Sequence, residues 1–199
     1  MATGVERDLR LVHPAPRERR QIAPNEVIGT MFFILTEIML FGGFISAFTI
    51  SKTQSGAWPP PGQPRLPVEF TAVNTGLLLL SGALVWWAGR RLDSAGPGSA
   101  RAPLVAGAAL GVAFVGIQGV EWVRLLAEGL TFTGSTYGAF FFLLVGMHAL
   151  HAVGGLVVLL SQTRAVFREQ VSPGGFWAAR LFWYFVVLLW PALYWKVYL

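Results

Sequence analysis

MFFILTEIMLFGGFISAF, residues 31–48, is a continuous apolar run with a single ionisable group, Glu37, near its middle. A helix crosses a bilayer with about 20 apolar residues, so this run is long enough to span one. A carboxyl group at that depth is costly unless it finds a polar partner, so Glu37 asks for a second polar residue at the same level of a neighbouring helix. Four similar segments follow, and the predicted spans are 27–50, 68–88, 103–126, 137–161 and 177–198. The sequence therefore predicts an all-α fold, an integral membrane bundle of five transmembrane helices. It forms a single domain over 27–199 behind a polar tail at 1–26. The first run starts too late, runs too long and lacks the small-residue cleavage site of a signal peptide, so it is expected to stay in the mature protein.

Composition points the same way. Of the 199 residues, 54% are hydrophobic and 13% charged, a balance far from that of a soluble domain. The chain has no cysteine, which excludes a disulfide framework, a thiolate metal site and a cysteine nucleophile. Its net charge of +5 comes from basic residues scattered in small groups between apolar segments. Such groups flank membrane spans and form no phosphate-binding face, so no nucleic-acid partner is expected. Between the spans lie short polar stretches: the Pro-rich SKTQSGAWPPPGQPRLP, the turn RRLDSAGPGSARAP, EGLTFTGST and SQTRAVFREQVSPGG. All read as turns and breakers, too short for a second domain. Barrel strands would alternate in polarity, and these segments do not.

Lys and Arg set the expected orientation. The tail carries Arg7, Arg10, Arg17, Arg19 and Arg20; the same side receives Arg90, Arg91, Arg101, Arg164, Arg168 and Arg180. The other side has Lys52, Arg65, Arg124 and Lys196. Eleven against four places the N-terminus in the cytoplasm and the C-terminus outside.

A rise of about 1.5 Å per residue converts position into depth. Glu37 on the first span and His151 on the antiparallel fourth both fall about 15 Å from the cytoplasmic side, so they can face each other. His148, Gln118 and Asn74 fall about 20 Å deep, and Glu121 lies towards the outer ends, which allows a second polar layer. In GMHALHAVGG the two histidines, three apart, share a helix face, and Gly146, Gly154 and Gly155 allow another backbone to approach. Residues 107–111, GAALG, offer a further close contact.

Each polar residue also has a purely structural reading. Glu37 can be a carboxyl group hydrogen-bonded to His151 or to a backbone carbonyl. Asn74 and Ser81 read as glue between helices. An HxxH pair without a third ligand makes a weak metal site, so packing and hydrogen bonding are preferred for His148 and His151, and no metal is assigned. Trp58, Trp86, Trp87, Tyr137, Trp177 and Tyr198 lie near span ends and read as an interfacial belt.

Several of these residues sit inside longer phrases. TEIMLFGGFISAF resembles the segment of cytochrome c oxidase subunit III that carries an intramembrane glutamate, and NTGLLLLSGALVWW is similar to that family's next helix. QGVEWVRL, YGAFFFLLVGMHALHAVGGLVVL and FWYFVVLLWPALYWKVYL continue the resemblance in the family's order, from residue 26 to the C-terminus. The resemblance implies a core subunit of a haem-copper oxidase complex that binds neither haem nor copper itself. Three histidines, one of them His13 in the tail, and no cysteine agree with that, being too few for two haems and a copper. It also implies a place beside the catalytic subunit, support for proton entry, protection against turnover-linked inactivation, and bound phospholipid in a cleft. Glu37, His148, His151, Glu121 and Asn74 match the family's membrane-embedded polar positions.

Two departures stand out. The family's long form has two additional N-terminal helices that help to build the lipid cleft and have no counterpart here. Its final helix often reads Trp-His-Phe-x-Asp, where this chain has Trp183, Tyr184, Phe185, Val186 and Val187. The resemblance implies a non-catalytic subunit III of a bacterial aa3-type cytochrome c oxidase in the inner membrane. Its expected partners are the catalytic subunit I, the copper-binding subunit II, membrane lipids and a respiratory supercomplex. Subunit III of a quinol oxidase and the nitric oxide reductase accessory protein stay open beside it. A stand-alone proton-linked transporter is less well supported, because the spans show no internal repeat and no pair of broken helices.

Overall fold

The computed structural model describes residues 24–199 and consists of five long helices. These are α1 (Asn25–Gln54), α2 (Val68–Ala95), α3 (Pro97–Ala127), α4 (Thr136–Phe167) and α5 (Pro173–Val197). All five are long and apolar enough to cross a membrane. Most of the tail predicted over 1–26, with His13 and its five arginines, lies outside the described residues.

The helices overrun the apolar spans, most of all where loops were expected. RRLDSAGPGSARAP is almost wholly helical: α2 continues through Arg90 and Arg91 to Ala95, and α3 begins at Pro97. Only Gly96 separates them, at a φ of 79° that glycine adopts without strain. Pro97 then occupies the first helical turn, where its missing N–H costs nothing. SQTRAVF likewise extends α4 to Phe167. Turn-forming residues end an apolar span, but a helix ends only where its backbone must turn. The starts of α4 and α5 are capped by serines: Ser135 Oγ accepts from Gly138 N at 3.0 Å, and Ser172 Oγ from Gly175 N at 3.3 Å.

The antiparallel pair α2 and α3 forms one wall of the bundle, and α5 packs against α1, α2 and α4. The wall closes tightly because Gly107 meets Ser81 and Val85 of α2: a Cβ there would lie 2.9 Å from Val85 Cγ2 and 3.2 Å from the Ser81 carbonyl. Ser81 Oγ donates to the Gly107 carbonyl at 2.7 Å and accepts from Trp183 Nε1 of α5 at 3.2 Å, which ties three helices at one point. Gly111, at the other end of GAALG, faces Trp183, so the two glycines serve different neighbours. On α4, Gly155 lies against Trp183 and Phe182, while Gly154 faces open space.

The aromatic residues divide unlike the expected belt. Trp86, Trp87 and Trp177 are exposed, whereas Tyr137 and Tyr198 are buried, and Trp183 and Trp190 are fully enclosed in the core. Among the described helices, α1 contacts only α4 and α5. Only 11% of its apolar window is buried, against 39–44% for the others, so most of its surface faces outward.

Candidate functional site

Glu37 projects from α1 towards α4, where its Oε2 lies 3.0 Å from His151 Nε2. That oxygen meets no other hydrogen-bonding group among the described residues. The opposite ring nitrogen, Nδ1, lies 2.6 Å from the Met147 carbonyl one turn back. A carbonyl only accepts, so Nδ1 must carry a proton and donate. The contact between Nε2 and Oε2 then calls for one proton between two atoms that would otherwise both be acceptors. Either a neutral carboxyl group donates to the imidazole, or an imidazolium donates to the carboxylate. Both arrangements have no net charge, which suits a site inside a bilayer.

Aromatic side chains enclose the pair. Ring centroids of Phe41, Phe33, Phe182 and Phe185 lie 5.5, 6.2, 6.3 and 6.4 Å from that of His151. They leave His151 8% and Glu37 13% exposed. Such a collar excludes water and lowers the local dielectric, which strengthens the contact and raises the cost of separating it.

A second polar cluster joins α2, α3 and the end of α5. Glu121, 2% exposed, accepts from Tyr198 Oη at 2.8 Å through Oε1 and from Thr71 Oγ1 at 2.9 Å through Oε2. Thr71 has one hydroxyl proton and a second acceptor, the Pro67 carbonyl, at 2.8 Å. Gln118 Nε2 donates to Tyr198 Oη at 3.2 Å, and Asn74 Nδ2 reaches Gln118 Oε1 and the Phe114 carbonyl, each at 3.2 Å. No Lys, Arg or His faces Glu121 within ion-pair distance among the described residues. Its two oxygens face hydroxyl groups, those of Tyr198 and Thr71.

His148 does not join that cluster, although its depth suggested it would. It is fully enclosed, stacks on Trp190 with centroids 4.9 Å apart, and both ring nitrogens lack a hydrogen-bond partner among the described residues. It borders a cavity of about 160 Å³ that Gln118 and Trp122 also line. One turn of helix thus sends His151 towards α1 and His148 towards α3 and α5. Of the two residues that hold Glu121, the sequence marks Tyr198 only as an interfacial residue and does not mark Thr71 at all. The depth count that matched Glu37 to His151 would have placed both at the level of Glu121, had Tyr198 not been read as an interfacial residue.

The geometry defines a multi-pass membrane bundle stitched by buried polar contacts. Among its described residues no three His, Asp or Glu side chains are grouped to hold a metal ion. The family model for cytochrome c oxidase subunit III matches residues 21–199, which takes in all five helices. Cytochrome c oxidase subunit 3 of Ornithorhynchus anatinus is 33% identical over 180 residues, covering 85% of this chain and 67% of that protein. The same subunit of Triticum aestivum is 34% identical over 179 residues, covering 85% and 66%. This chain belongs to the cytochrome c oxidase subunit III family. It spans about two thirds of the length of those relatives.

Proposed function

We propose that this chain is the non-catalytic subunit III of a bacterial aa3-type cytochrome c oxidase, seated in the plasma membrane beside the catalytic subunit I and the copper-binding subunit II. The family match across all five helices carries this reading. The histidine and cysteine content supports it, since haem and copper need more axial and thiolate ligands than these helices offer. Redox chemistry then belongs to neighbouring subunits. This chain contributes a rigid flank, and its outward-facing α1 supplies surface for a partner or for lipid. Glu37, His151, His148, Glu121 and Asn74 act as the buried polar contacts that hold the flank in shape beside the proton entrance.

Affinity purification of the tagged chain from its native membrane tests the assignment. A co-purifying catalytic chain with an a-type haem spectrum and a copper-binding second subunit is the expected result. Recovery with a catalytic chain that has no copper-binding partner would move the assignment to a quinol oxidase, and recovery with a nitric oxide reductase to its accessory protein.

The excess of arginine on one side supports a cytoplasmic N-terminus and an external C-terminus. With no native cysteine, single reporters are unambiguous. A membrane-impermeant maleimide applied to intact cells is expected to label Leu199→Cys and to spare Ala2→Cys. The reverse pattern overturns the orientation.

A further inference from the structure

His148 lies near the middle of α4 and is 1% exposed, yet neither ring nitrogen meets a hydrogen-bonding group among the described residues. The rings beside it supply none. Trp190, stacked on it at 4.9 Å, commits its Nε1 proton to Thr75 Oγ1 at 2.9 Å, and Phe114, edge-on at 6.5 Å, has no polar atom. Trp122 Nε1 of α3 is likewise buried without a partner among the described residues. His148 and Trp122 both border the cavity of about 160 Å³ between α3, α4 and α5. Gln118, whose amide reaches Tyr198 Oη at 3.2 Å, lines the same space.

A buried polar group without a protein partner is normally met by ordered water. A neutral imidazole presents one donor and one acceptor, and an indole a single donor. Water both donates and accepts, so it can take the Trp122 proton and supply one to the bare nitrogen of His148. The volume admits several molecules at about 30 Å³ each, and the polar lining offers the partners that a buried water needs. A wholly apolar cavity would stay dry, but here Phe114, Val115, Val145 and Ala152 form only part of the wall.

We infer that this cavity is an internal water site, with ordered water held by His148 and Trp122 and passed on to Gln118. That water joins α4 to the cluster of Asn74, Gln118, Tyr198 and Glu121, and gives His148 the partner that direct contact denies it. The site lies wholly within this chain and is independent of the complex the chain joins.

Microsecond X-ray radiolysis of the purified full chain in detergent, read by mass spectrometry, tests it. Hydroxyl radicals formed from bound water oxidise the side chains beside it even where bulk water does not reach. Trp190 and Trp183 make the comparison, since both are 0% exposed on α5, but Trp190 borders the cavity and Trp183 does not. Trp190 is expected to be oxidised several-fold faster than Trp183. His148→Leu with Trp122→Phe removes the unpaired nitrogens and keeps apolar bulk in their place, so it should slow Trp190 to the rate of Trp183. Continued protection of Trp183 shows that the variant is folded. If that protection is lost, Trp122→Phe alone decides, because it keeps a ring in position and should still slow Trp190. Equal, slow oxidation of the two tryptophans in the wild type means a dry cavity and overturns the proposal. Fast oxidation of Trp190 that persists in the folded variant overturns it too, since the water would then not be held by these groups.

Discussion

Glu37→Leu is expected to destabilise the chain by about 1–3 kcal/mol, the cost of leaving one buried polar group without its partner. Glu37→Gln should cost less than about 1 kcal/mol, within the range of a retained hydrogen bond between membrane helices. The contrast follows from the Met147 carbonyl. It fixes the proton on Nδ1 of His151, so Nε2 is free to accept, and a glutamine amide placed like the Glu37 carboxyl group can donate to it. Leucine offers no donor, and the surrounding phenylalanines offer none either. Thermal unfolding of the purified chain in detergent, followed by circular dichroism, should therefore rank the wild type just above Glu37→Gln and well above Glu37→Leu. His151→Phe should resemble Glu37→Leu, because it strands the carboxyl group instead. If the leucine and glutamine variants both unfold together with the wild type, the contact has no energetic weight. If both lose stability equally against the wild type, the pair needs a charge and not a single donor.

Depth was legible from sequence because the rise of a helix is constant; direction was not. Counting along the spans brought Glu37 and His151 to one level, and the structure brings them within contact. The same count put His148 beside Asn74 and Gln118, yet His148 points to Trp190, while Asn74 and Gln118 bond to each other. A residue's level fixes how far it lies along the helix, whereas its partner depends on how the helix is rotated, and rotation is set by packing. Gly107 shows the difference: it brings α2 close, and the rotation that seats it against Ser81 also aims Gln118 and Glu121 of the same helix at α2 and at Tyr198. The overrun of α2 into RRLDSA was hidden for another reason. An arginine pair ends the apolar span without ending the helix, and only Gly96 has a backbone that turns.

Tyr198→Phe is the sharper test of the Glu121 cluster, because it removes one oxygen and leaves the ring in place. That oxygen donates to Glu121 Oε1 and accepts from Gln118 Nε2, so the variant leaves two polar atoms of α3 without that partner. Hydrogen bonds between membrane helices contribute about 0.6 kcal/mol on average and up to about 1.7 kcal/mol, so losing two should cost about 1–3 kcal/mol. Packing is spared: the ring's stacking on Tyr194 and its edge contacts with Phe141 and Trp190 do not involve the hydroxyl. A double-mutant cycle with Glu121→Leu isolates the pair, since leucine removes the oxygen that accepts from Tyr198. A coupling above about 0.5 kcal/mol between Tyr198→Phe and Glu121→Leu indicates that the carboxyl group and the phenol act as a unit. Additive effects would mean that Glu121 is held by Thr71 alone. The end of α5 would then be anchored by Tyr194, whose hydroxyl donates to the Val68 carbonyl at 3.1 Å, and by the aromatic stack, and the terminal tyrosine would serve packing only.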